Sequence, residues 1–140
     1  MTDVPGKCHC GNIAYVLRWP GAPSQIAARA CGCGFCVKHG GVWTSRPDAQ
    51  IEVRIQEPAH VSRYRFGTGT ADFLVCSRCG VAPLVTCEID GQLLAVVNVN
   101  TFEGVDPASV ARSPASFEGE DVESRLARRR QRWIGTVRIT

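Results

Sequence analysis

No run of apolar residues in this 140-residue chain approaches the roughly 18 that a membrane-spanning helix requires. The opening stretch, MTDVPGKCHCGN, carries no hydrophobic segment of the sort found in secretory leaders. Low-complexity linkers are missing, and no internal repeat is found beyond paired cysteine motifs. Nor is there an aromatic platform or groove-reading motif to suggest nucleic acid as a partner. These absences point to one globular domain, residues 1–140, in a cytoplasmic setting where thiols stay reduced and no membrane is engaged.

Cysteine, by contrast, is abundant. Eight occur, and seven of them fall into C-x-C (Cys8, Cys10), C-x-C-x-x-C (Cys31, Cys33, Cys36) and C-x-x-C (Cys76, Cys79) groups. Disulfides would suit a secreted chain; clustered thiols in a reducing compartment favour metal ligation. A redox role for Cys76 and Cys79 is the weaker reading, because the chain after them, GVAPLVTCEI, looks extended rather than helical. The formal charge of +3 does not argue for an anionic partner either. Seven thiolates on two Zn²⁺ ions would offset it and bring the loaded protein near neutrality.

Most of the chain reads as short strands. NIAYVLRW (12–19) sets Ile13, Tyr15 and Leu17 on one face at period two, and IEVRI (51–55) alternates in the same way. VSRYRF and ADFLVC flank Gly67-Thr68-Gly69, while APLVTCEI and QLLAVVNV flank Asp90-Gly91, so two antiparallel hairpins are expected. TFEGVDPASV reads as a loop with a helical turn after Pro107. Residues 121–133 have a helical pattern that puts Val122, Leu126 and Trp133 near one face and arginines on the other. GTVRIT supplies a last strand. The class is mainly β with a short C-terminal helix.

The cysteine groups divide naturally into two sites. Cys76 and Cys79 form a zinc-knuckle pair, with Gly80 permitting the tight backbone, and Cys8 and Cys10 form a tighter pair followed by Gly11. Neither pair saturates tetrahedral Zn²⁺, but joined across the fold they make a closed four-sulfur structural site. Cys31, Cys33 and Cys36 remain. Three protein thiolates and a free position characterise a reactive zinc, whose fourth ligand can be water or an incoming thiol. His39, three residues beyond Cys36, is the main rival for that position, with His9 and Cys87 behind it; if one of them binds, the second site is structural as well.

The spacing of these groups resembles the glutathione-dependent formaldehyde-activating family, also called the centromere protein V/GFA domain. The motifs that carry the likeness are GKCHCG (6–11), CGCGFCVK (31–38) and CSRCG (76–80), within a similarity that extends over roughly residues 5–105. The resemblance implies a β-tent-like fold of antiparallel sheets stapled by two zinc ions, with Cys8, Cys10, Cys76 and Cys79 holding the structural ion. It implies that Cys31, Cys33 and Cys36 hold the ion tied to glutathione and formaldehyde. The implied reaction is that of a carbon–sulfur lyase run in reverse, giving S-hydroxymethylglutathione from a thiol and a small aldehyde.

Lys38, beside the three-cysteine cluster, is a candidate to meet a substrate carboxylate or temper an anionic metal site. Phe35 and Trp43 are candidate pocket walls, although core packing is the commoner fate of aromatics in β proteins. RLARRRQR (125–132) is expected to be the solvated face of the terminal helix, neutralised by nearby Glu118, Glu120, Asp121 and Glu123. Two functions compete on this basis. One is a zinc enzyme activating a glutathione-like thiol. The other is a non-catalytic two-zinc module that engages a macromolecular or anionic partner.

Overall fold

Alternating apolar positions build two β-sheets, which the computed structural model describes for all 140 residues. In chain order the elements are β1 (Thr2–Lys7), β2 (Ile13–Trp19), β3 (Ala27–Cys31), α1 (Gly34–His39), β4 (Val42–Thr44) and β5 (Gln50–Ile55). They continue as β6 (Val61–Tyr64), β7 (Asp72–Cys76), β8 (Leu84–Ile89), β9 (Gln92–Asn98), β10 (Ala111–Ala115), α2 (Val122–Arg132) and β11 (Thr136–Ile139). The smaller sheet runs β1-β2-β5-β11 and the larger β10-β3-β4-β9-β8-β7-β6. No helix is long and apolar enough to cross a membrane.

The period-two reading of β2 holds. Ile13, Tyr15 and Leu17 are all buried, paired with Ile55, Val53 and Ile51 of β5. Both expected hairpins form, β6 on β7 and β8 on β9. In the second, Ile89 pairs with Gln92, so Asp90 and Gly91 alone make the turn, both at positive φ (51° and 80°). β1 and β10 are among the strands that were not anticipated. The pairing is antiparallel throughout except for β10 on β3 and β11 on β5, which are parallel and lie at sheet edges.

Two cores result. The larger takes Val4, Leu17 and Ile51 from the small sheet and Leu74, Leu84 and Val97 from the large one, so it lies between them. The second lies on the other face of the large sheet, where Val85, Cys87, Leu94 and Val96 meet Cys36, Trp43 and Trp133. β8 and β9 are therefore buried on both faces, which explains their nearly continuous apolar sequence. α2 starts where expected, with the Asp121 carboxylate accepting from the Ser124 amide at 2.7 Å. Its face differs from the expected one: Val122 is exposed, whereas Arg129 is buried.

Candidate functional site

The turn between β1 and β2 carries Cys8 and Cys10; Cys76 ends β7 and Cys79 lies in the turn that follows it. Each turn closes through a glycine in the left-handed region, Gly11 (φ 86°) and Gly80 (φ 79°), whose amides donate to the Cys8 and Cys76 carbonyls. The four Sγ atoms lie within 4.8 Å of one another. The separations Cys8–Cys10 and Cys10–Cys76 are 3.8 and 3.5 Å. A tetrahedron with Zn–S bonds near ~2.3 Å has edges of about 3.8 Å, so the donor set fits zinc. Burial pushes the Cys8 thiol up; at Cys79 burial is outweighed by backbone hydrogen bonds at Cys10 and Val81, which draw the thiol down to about 6.

The second cluster is assembled locally. Cys31 ends β3, Cys33 caps α1 and Cys36 sits in the first turn of α1, with all three Sγ atoms again within 4.8 Å. The Cys33 sulfur accepts from the Cys36 amide at 3.5 Å. Trp43 Nε1 donates to the Cys36 sulfur at 3.3 Å. The indole can lie there because residue 41 is glycine: a Cβ at that position would come within 2.7 Å of the ring. A hydrogen bond from Cys36 holds the Cys31 thiol well below its ordinary range, and the same contact together with burial raises Cys36.

None of the rival ligands joins this cluster. His39 Nε2 accepts from the Ala82 amide at 3.2 Å, and its ring stacks on Phe35. Cys87 is buried in β8 and accepts from Arg129 Nη1 at 3.4 Å. His9 is exposed. Three sulfurs therefore face a cavity of about 430 Å³, within the range of small-molecule sites.

Trp43 lines that cavity as well as packing, together with Phe73, Phe66 and Trp133. Lys38 and Phe35 do not line it; they border a neighbouring shallow groove with His39, Tyr64 and Phe66. Reading the sequence alone missed the four arginines that do line it, Arg29 from β3 and Arg125, Arg128 and Arg129 from α2. The expectation of a wholly solvated arginine face is thus overturned for three of the five, while Arg130 and Arg132 remain exposed. Trp133 gave the available signal: a buried residue at i+4 brings Arg129 to the same side, and its guanidinium lies 4.9 Å from the Trp133 ring.

The model of one family, described as glutathione-dependent formaldehyde-activating enzyme, matches residues 3–117. The chain belongs to this family. All seven clustered cysteines fall within the match, and α2 lies outside it. A crystal structure of a Rhodobacter sphaeroides protein, a structural-genomics target, is similar in fold. It has a TM-score of 0.56 and 26% identity, covering 78% of this chain and 99% of that one. No curated protein matches the sequence significantly.

Proposed function

We propose that this family member is a zinc-dependent enzyme of the carbon–sulfur lyase type, joining a glutathione-like thiol to a small aldehyde such as formaldehyde. The observation that carries the proposal is the three-thiol cluster facing a cavity with no fourth protein ligand. Zinc bound by Cys31, Cys33 and Cys36 supplies the Lewis acidity that lets a substrate thiol ionise near neutral pH. The chain's own part is to hold that centre rigid and half-enclosed. Trp43 fixes the Cys36 sulfur, the α1 cap fixes Cys33, and the aromatic walls exclude water from one side. Lys38, exposed on α1, faces the neighbouring groove and is not needed for this reading.

In the reaction the thiol sulfur adds to the carbonyl carbon, so one C–S bond forms as the C=O π bond is lost. The thiol's proton ends on the new hydroxymethyl oxygen. No redox partner is needed. The Cys8, Cys10, Cys76 and Cys79 set, which does not line the cavity that holds the other three sulfurs, takes the structural role. The competing binding-module reading loses support from the arginines, three of which turn inward rather than presenting a basic face.

The test is a native mass spectrum with and without glutathione, followed by NMR detection of S-hydroxymethylglutathione formation. Two zinc ions per chain, a glutathione adduct and formation faster than in protein-free buffer are expected. Two zinc ions without adduct or acceleration would reject the enzyme reading.

A further inference from the structure

Of the four arginines in the cavity, two have a carboxylate partner and two do not. Arg125 and Arg128 share Glu120, at 3.6 and 3.0 Å. No ion pair of the protein includes Arg29 or Arg129. Arg29 has a hydrogen bond to Ser45 Oγ at 2.9 Å. Arg129 is only 6% exposed; its Nη1 donates to Thr70 Oγ1 at 2.8 Å and to Cys87, and its Nε is buried with no partner.

A guanidinium buried without a counter-ion is destabilising, because neither hydroxyl nor thiol replaces the solvation it loses. A bound ligand that brings an anion to Arg129 would relieve that cost. A guanidinium presents several donors in a planar fork, which matches the two oxygens of a carboxylate. The cavity also places these cations beside the three sulfurs, within reach of one small molecule.

We infer that Arg129, assisted by Arg29, reads a carboxylate of the thiol substrate, making this member selective for anionic thiols over neutral ones. The inference rests on the thiol-activating function proposed above and adds the specificity-determining residues. Arg29 lies within the family match, whereas α2, which carries Arg129, lies outside it. The rival role, simple neutralisation of the anionic sulfur cluster, predicts no loss of the preference for free carboxylates over their esters when Arg129 alone is changed to Gln.

The test is calorimetric titration of the full-length, zinc-reconstituted protein with glutathione, its diethyl ester and S-methylglutathione. Glutathione should bind about tenfold or more tightly than the diester, as expected when a buried charged hydrogen bond loses its partner. Arg129→Gln should bring that ratio close to one, and Arg129→Lys should restore part of it. Equal affinity for glutathione and its diester in the unmodified protein overturns the inference, and this comparison requires no variant to fold. An Arg129→Gln protein that keeps the full ratio overturns it too, as does failure of glutathione to bind at millimolar concentration. If S-methylglutathione binds as tightly as glutathione while the diester binds weakly, the carboxylate site stands and the thiol-activating reading falls.

Discussion

Cys33 illustrates how one side chain can serve both fold and site. Its sulfur caps α1 by accepting the Cys36 amide and also stands in the three-thiol cluster. A serine hydroxyl can still cap a helix, but it is a poor zinc ligand at neutral pH. Cys33→Ser should therefore reduce bound zinc from about two ions per chain to about one, measured by elemental analysis, with the far-ultraviolet circular dichroism preserved. Unfolding of the variant would show instead that the cluster is structural. The two cysteine clusters that could hold a metal ion were legible in the sequence because the spacing within each motif is a local property, set within a turn or a cap. Arg129 was not legible as a site residue. Its burial depends on how α2 is rotated against β8 and β9, and that is decided by Trp133 and the outer core rather than by neighbours in sequence.

At the scale of elements, α2 depends on the segment before it. Glu120 receives Arg128 through Nε and Nη2, both at 3.0 Å, and the Arg128 guanidinium lies 3.7 Å above the Phe117 ring. The Arg128 hydrogen bonds hold the Glu120 carboxyl below its usual range. A carboxylate depressed in the folded state contributes stability above its unfolded pKa, and that contribution is lost as pH falls through the folded value. Glu120→Gln should accordingly lower the melting temperature by about 3 °C near pH 7, with the two proteins converging well below about pH 4. A difference that persists unchanged into acid would mean that packing, not charge, holds the segment. The element boundaries themselves show where pattern reading succeeds. The Asp90-Gly91 hairpin and the Asp121 cap were visible because each has its own local chemistry. β1 and β10 were not, since TDVPGK and ARSPA both contain proline, which argues against a strand interior. Each proves to be an edge strand, where proline is tolerated and only the partner strand reveals the pairing.

At the scale of the whole molecule, the two cysteine clusters hold different things together. The four-thiol set joins the β1–β2 turn of the small sheet to the β7–β8 turn of the large one, across the core the sheets share. Cys8 and Cys76 are fully buried there. The three-thiol set spans only β3 and α1, and two of its sulfurs are half-exposed to the cavity. Structural zinc contributes about 10–16 kcal/mol in small domains, as much as the entire stability of an ordinary fold at about 5–15 kcal/mol. Removing the inter-sheet ion should then collapse the structure, whereas removing the cavity ion should leave both sheets paired. A strong chelator added to the loaded protein should withdraw zinc in two phases, followed by a metallochromic dye and by circular dichroism together. The first equivalent should leave with little change in the spectrum, and the second should leave only as β structure is lost. Simultaneous loss of both ions, or unfolding in the first phase, would contradict the division of labour between the clusters. Cys76→Ser separates the two phases independently: it should abolish cooperative melting even when zinc is in excess, a failure that the same exchange at Cys33 does not produce.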